Sequence, residues 1–216
     1  MPTFTEGRHA AEFVYSEANG FRSREEVTVA ASLAAALPAG TVLGRRSGGA
    51  ATAAAAAGNT GNGAFGAVTT GAGVKVGAYR VTCIEPAANA GVFTVEDPDG
   101  VTIGRATVGV AFTGPINFTI ADGATDFVSG DSFVVTVAAG TGQVQAIDLT
   151  ATNGADVAIG ILYDTAQAIG AVTQKATAFV RDCEVNGNEI TWPAGFTDPQ
   201  KATAIAQLAT RGIIVR

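Results

Sequence analysis

Apolar and polar positions alternate through most of this chain, and the alternation is that of strands rather than helices. Runs at about 76–85 (VGAYRVTCIE), 90–96, 101–110, 115–121 and 132–138 alternate apolar with polar or small residues. A period of two puts those residues on one face of a pleated strand. Asp97-Pro98-Asp99-Gly100 separates the second run from the third, with Pro second and Gly fourth, as a type I turn requires. Short strands at this spacing predict a small β-sandwich of immunoglobulin-like architecture over residues 66–142. The Cys-Trp-Cys spacing of antibody domains is absent, so the expectation concerns architecture alone.

The flanking regions read differently. Leu37-Pro38-Ala39-Gly40 turns into a strand at Thr41-Val42-Leu43. After the sandwich, Gln143–Ile147 and Val157–Leu162 read as strands. Thr177–Val185 and Glu189–Thr191 frame Asn186-Gly187, a hairpin signal. Asp198-Pro199 opens the one helix, with Asp198 as N-cap and Pro199 at the first helical position. Ile205, Leu208 and Ala209 give it a narrow apolar face, Gly212 ends it, and Ile213-Ile214-Val215 forms a last strand. The expected fold class is mainly β: a small α+β core, 31–46 with 143–216, interrupted by the sandwich. Residues 47–65 (SGGAATAAAAAGNTGNGAF) read as a flexible Gly/Ala linker. A phosphate-cradling loop is excluded there, because no Lys-Ser/Thr follows the glycines. Residues 1–30 read either as a disordered tail or as an arm that orders on a partner. Phe4, Phe13, Tyr15 and Phe21 favour the arm, since free tails are poor in aromatics.

Composition narrows the function classes. With 216 residues, 47% of them hydrophobic, the chain can bury a sizeable core. A net charge of −6 argues against a nucleic-acid surface, which needs clustered Lys and Arg. No apolar run reaches the ~18 residues of a membrane span. Glu6, Arg8, His9 and Glu12 interrupt any signal-peptide pattern, so synthesis in a cytoplasm is expected. Cys83 and Cys183 sit in alternating runs and read as two buried thiols rather than a bridge. Residues 1–30 carry three Arg and five Glu, and 66–139 carry three basic and seven acidic groups.

Candidate chemistry is sparse. His9 is the only histidine, which excludes a histidine triad or a multi-His metal site within one chain. Asp97, Asp99, Asp122, Asp126 and Asp131 suggest calcium, but their spacing fits no EF-hand and turn-forming Asp accounts for them. No nucleophile-base pair or carboxylate pair flanking a cleft is marked, so no catalytic residue, metal or cofactor is assigned. Trp192, the only tryptophan, reads as either a core aromatic or an interface anchor. Asn117-Phe118-Thr119 matches a glycosylation acceptor without a secretory signal to support it.

The order of elements in the last third carries a resemblance. Asn153–Leu162, the strand ending Ile190-Thr191-Trp192-Pro193, the helix from Asp198 and the terminal Ile213-Ile214-Val215 resemble the head decoration protein family of phage lambda. Leu37–Leu43 is similar to that family's first core strand. About half the chain is covered. The chain departs from the family pattern by an insertion between Arg46 and Gln143. The resemblance implies a structural virion protein: a homotrimer on the outside of an expanded capsid, bound to the major capsid protein, without cofactor or catalysis. It implies an N-terminal arm that clamps capsid subunits, placed here at Phe4, Phe13, Val14, Tyr15, Ser16 and Phe21. Trp192, Pro193, Ile205, Leu208, Ile213 and Ile214 are the candidates for core or trimer interface. The sandwich could instead serve as a surface adhesin that binds a glycan or a cell surface.

Overall fold

The structure is a computed structural model that describes residues 7–31, 35–167, 170 and 172–216. Its contacts divide the chain into two compact units. The first holds the chain up to Arg46, then Gly142–Thr150 and Ala155–Arg216; the second holds Ser47–Thr141 and Ala151–Gly154. The fold is mainly β with one short C-terminal helix. In chain order, the first unit begins with β1 (Val14–Glu17), β2 (Arg24–Val29) and β3 (Val42–Arg45). The second contributes β4 (Gly48–Ala55), β5 (Thr69–Thr70), β6 (Gly77–Ala87), β7 (Ala90–Glu96), β8 (Thr102–Thr107), β9 (Ala111–Phe112), β10 (Ile116–Thr119) and β11 (Ser132–Ala139). The chain returns to the first unit with β12 (Val144–Ala146), β13 (Ala158–Leu162), β14 (Gln174–Phe179), β15 (Cys183–Val185), α1 (Asp198–Ala209) and β16 (Ile213–Val215).

In the first unit, β12-β2-β14-β13-β3 close into a barrel, and β1-β15-β16 form a separate sheet. Neighbouring residues of a strand face opposite sides, which explains the unbroken burial of β13. Leu162 joins Val27, Val29, Leu43, Val144 and Ala178, drawn from all five barrel strands, in the barrel interior. Its neighbour Ile161 joins Val42 and Phe179 in a second cluster with Phe13, Cys183, Val185, Leu208 and Ile213. That second cluster fastens the three-stranded sheet and the helix to the outside of the barrel. Such two-sided burial reads in sequence as a continuous apolar run rather than as alternation. Two glycines are needed for close approach. A Cβ at Gly44 would lie 2.1 Å from the Ala155 carbonyl oxygen. Gly40 has φ +80, and its Cβ would meet the Glu189 carbonyl oxygen at 2.8 Å.

In the second unit, a five-stranded sheet (β4-β11-β6-β7-β8) and a three-stranded one (β5-β10-β9) share one core. Tyr79, Val81, Phe93, Phe133 and Val135 of the larger sheet pack with Ile116 and Phe118 of the smaller. This is a two-layer sandwich. Its strand order differs from the ABED and CFG sheets of an immunoglobulin domain: β6, β7 and β8 form an uninterrupted meander within one sheet.

Several expectations require correction. The linker over 47–65 is not a free connection. Gly48–Ala55 is a strand of the large sheet, and the residues after it are pinned. Asn59 and Ser132 exchange hydrogen bonds of 2.9 and 2.8 Å. Asp131 accepts the backbone N–H groups of Thr60 and Gly61 at 2.8 Å each. Phe65 stacks on Phe118 at 4.5 Å. The small side chains that suggested flexibility are those that fit a flat sheet edge. The sandwich therefore starts at Ser47, ahead of residue 66. The arm does not extend through residue 30, because β1 and β2 belong to the first unit's sheets. Asn186-Gly187 makes a turn, with Glu189 N–H donating to the Asn186 carbonyl at 3.0 Å. No hairpin follows, because both edges of β15 are taken, by β1 and by β16. The helix is capped one residue earlier than expected. Thr197 is the N-cap, and its N–H donates to the Gln200 side chain at 2.8 Å.

Candidate functional site

The connection from β1 to β2 is organised by one arginine. Arg24 donates to both oxygens of Glu17, at 2.9 Å from Nε and 2.5 Å from Nη2. Its guanidinium lies 4.8 Å from the Tyr163 ring centre, 5.4 Å from Phe179 and 5.5 Å from Phe21. The hydrogen bond to Glu17 raises the Arg24 pKa above its ordinary value. A forked ion pair with rings on its faces gives direction as well as energy, about 0.5–1 kcal/mol per cation–π contact at such sites. Buried Ser23 completes the turn: its Oγ accepts from Ala18 N–H at 3.1 Å and donates to the Asp182 carbonyl at 2.8 Å. The chain from Ala18 to Arg24 is thus held on the first unit.

This arrangement sorts the expected arm residues into two sets. Phe13 is buried, with its ring edge-on to Phe179 at 5.8 Å, and Val14 packs against the same cluster. These are core residues. Tyr15 falls where the register of β1 against β15 shifts between Val14 and Ser16, and it is 61% exposed. Ser16 donates to Glu184 at 3.3 Å. Phe21 is 78% exposed despite its contact with Arg24. Phe4 lies outside the described residues. Among the described residues the N-terminal segment is first tied to the unit at Arg8, which bonds to Glu189, and Ala11 N–H donates to the Tyr163 carbonyl at 2.8 Å.

The expected interface residues separate in the same way. Leu208 and Ile213 are fully buried, and Ile205 is half-buried beside buried Ala204. Leu208 and Ile213 belong to the unit's core cluster. Ile214 is 47% exposed. It pairs across the strand with Glu184, whose carboxyl is held below its usual range chiefly by the hydrogen bond from Arg216. Trp192 stacks on Phe196 at 6.0 Å, and both are half-buried against the second cluster. Pro193 shapes that loop by accepting the Phe196 N–H at 3.2 Å. Among the described residues, the large apolar side chains exposed near this unit's termini are therefore Tyr15, Phe21 and Ile214. Sequence reasoning missed Arg24 and Glu17, because nothing in a local period links residues seven apart across a turn.

The aspartates of the second unit are dispersed into turns. Asp97 accepts from Asp99 and Val101 N–H at 3.0 and 2.9 Å and pairs with Lys75. Asp126 accepts from Asn89 N–H at 2.7 Å. Among the described residues no group of three or more His, Cys, Asp or Glu could hold a metal ion.

What this scaffold serves is decided by comparison with known families. The family model for bacteriophage lambda head decoration protein D matches residues 3–213. The chain belongs to the lambda head decoration protein family. The match takes in both terminal segments of the barrel unit as well as the sandwich between them. As a member of that family the chain has a structural role in decorating a phage capsid. A search of curated proteins finds no match. Among solved structures, two crystal forms of FlgL from Xanthomonas campestris align with 24% and 22% identity over 48% and 50% of this chain, each at a TM-score of 0.32. Those alignments take in 34% and 33% of the FlgL chain, so this decoration protein overlaps about a third of it.

Proposed function

We propose that this decoration protein binds the outer surface of an expanded phage capsid as a homotrimer and stabilises the shell by bridging neighbouring subunits of the major capsid protein. The observation that carries the reading is the family match over nearly the whole chain. The surface chemistry agrees with it: Tyr15, Phe21 and Ile214 offer exposed apolar area on the unit that carries the N-terminal segment. The segment ahead of Arg8, including Phe4, acts as the arm that engages the capsid. Ordering costs about 1–2 kcal/mol per residue, so the arm engages only where a preformed surface repays it. Anything that binds the expanded shell and not its precursor favours the expanded state by mass action. Synthesis takes place in the host cytoplasm.

The test is sedimentation of the purified protein with expanded shells. The native chain should pellet at a fixed ratio to capsid protein. A chain lacking residues 2–7, or carrying Tyr15→Ser with Phe21→Ser, should stay in the supernatant while melting like the native protein. Equal pelleting of all three would refute the placement of the contact.

A second reading attaches to the sandwich. Phe112, Thr69, Thr113, Asn117 and Thr119 line an open recess without a charged side chain. Hydroxyls, an amide and the rings of Phe112 and Phe118 suit a neutral saccharide, which supports the glycan-binding alternative. Titration with neutral oligosaccharides, read by chemical-shift changes at these residues, decides it. No shift at any concentration would end that reading.

A further inference from the structure

Asn-Gly occurs four times in the chain, at Asn19-Gly20, Asn62-Gly63, Asn153-Gly154 and Asn186-Gly187. The dipeptide carries latent chemistry. The backbone nitrogen after an asparagine can add to that asparagine's side-chain carbonyl, and a glycine there has no Cβ to bar the approach. The reaction needs a free amide nitrogen and a free side chain, and three of the pairs are tied. At Asn186-Gly187 the attacking nitrogen is occupied, because Gly187 N–H donates to the Arg216 carbonyl at 2.6 Å. The Asn186 side chain is held as well, accepting from Asn188 N–H at 3.0 Å. Asn62 Oδ1 accepts from Thr125 N–H at 2.8 Å, and Asn62 N–H donates to the Thr125 carbonyl at 3.2 Å. Gly63 is wedged against Phe127, whose ring would lie 2.3 Å from a Cβ there. Asn153 is half-buried, and its carbonyl accepts from Gly48 N–H at 2.9 Å.

Asn19-Gly20 differs. Both residues are exposed. Among the described residues, neither the Asn19 side chain nor the Gly20 N–H has a hydrogen-bond partner. A Cβ at Gly20 would meet nothing within 4 Å. The flanks are fixed: Ala18 N–H bonds to Ser23 Oγ and to the Asp182 carbonyl at 3.1 Å each, and Arg24 N–H to the Phe21 carbonyl at 3.0 Å. The pair stands free between two anchored points. We infer that Asn19 is a site of spontaneous deamidation in the folded protein, selected over the other three pairs by that freedom. Hydroxide removes the Gly20 N–H proton, and the nitrogen bonds to Cγ of Asn19. The Cγ–Nδ2 bond breaks, and Nδ2 leaves as ammonia with a proton from water. Water then opens the succinimide at one carbonyl or the other, which leaves aspartate or isoaspartate at position 19. No oxidant or cofactor takes part. Each event makes the net charge one unit more negative than −6. The isoaspartyl product also adds a methylene to the main chain two residues ahead of exposed Phe21. The outward surface of the β1–β2 connection thus changes with the age of the protein.

The experiment incubates the full chain at mildly alkaline pH, with and without urea, and follows each Asn-Gly peptide by mass spectrometry. Labelling with an isoaspartate methyltransferase identifies the iso form. In the folded chain Asn19 should deamidate at least about fivefold faster than Asn62, Asn153 and Asn186, the rate equivalent of one net hydrogen bond. In urea the four rates should converge, because only the fold sets their order. Asn19→Gln should remove the more acidic species that the aged native chain shows on anion exchange, without moving the melting temperature. Equal rates at all four pairs in the folded chain, or a lead by any other pair, would overturn the inference. So would an Asn19 that stays intact when folded but reacts in urea, or an acidic species that survives Asn19→Gln.

Discussion

Replacing Phe13 by alanine separates two accounts of the N-terminal region. Phe13 is 1% exposed and packs edge-on against Phe179, within the cluster that ties the three-stranded sheet and the helix to the barrel. Its backbone carbonyl also accepts the Asn186 N–H at 2.7 Å, so the residue joins two segments far apart in sequence. Truncating a buried phenylalanine costs roughly 3–5 kcal/mol, for lost transfer energy and for the cavity left behind. At the few degrees per kcal/mol usual for domains of this size, the transition should fall by at least ~10 °C. The assay is built in. Trp192 is the only tryptophan and packs on the same cluster, so its fluorescence reports this unit's melting selectively. Tyr15→Ala, two residues on, should change the midpoint by under ~0.5 kcal/mol, as exposed substitutions do. If Phe13→Ala melted like the native chain and lost only capsid binding, Phe13 would be a partner contact and its place in the core would be wrong.

Other outcomes follow from the same geometry. Gly40→Ala should destabilise the first unit by more than ~1–2 kcal/mol, because a left-handed φ and a close carbonyl both oppose a Cβ; an unchanged urea midpoint would contradict this. Thr197→Ala should cost about 1 kcal/mol through the lost helix cap, and Thr197→Ser should restore most of it. Asp131→Ala strands the N–H groups of Thr60, Gly61 and Val128 and should loosen the 56–62 segment, seen as faster amide exchange there.

Acid should weaken the second unit through two of its aspartates. The Lys75 ammonium, with help from backbone N–H groups, holds the Asp97 carboxyl below its usual range. Burial would raise Asp131, but the N–H groups of Thr60, Val128 and Gly61 outweigh it and lower it as well. A depressed folded-state pKa means that the unfolded chain binds the proton first. The stabilisation is therefore complete above the unfolded value of about 4 and is lost as pH falls through the folded values. Asp97→Asn should flatten that fall, and an equally steep loss in the variant would rule Asp97 out as its source.

What could be read from the sequence was what depends on local pattern. β6, β7 and β11 stood out because each buries one face and wets the other, as in Tyr79-Val81-Cys83 and Phe133-Val135-Val137. The turn at Asp97–Gly100 and the helix after Thr197 were legible because Pro, Gly and Asp act within a few residues. β4 was hidden because alanine and glycine carry no period; only its neighbour β11 makes it a strand. Phe13 and Phe21 looked alike in sequence, yet one is core and the other exposed. What separates them is Phe179 and Arg24, one distant in the chain and one brought round by a turn. Leu208 and Ile213 were marked as apolar, but whether they face a partner or their own core depends on β15, which no local rule identifies. The aspartates suggested a cation by number, and the backbone N–H groups that occupy them are invisible in a one-dimensional pattern.

The most direct test is image reconstruction of expanded capsids incubated with the full-length protein. The account predicts three copies of the barrel unit around each three-fold position of the outer surface, with Tyr15 and Phe21 against the major capsid protein. Bare three-fold positions at saturating protein, or copies bound only through the sandwich, would contradict it.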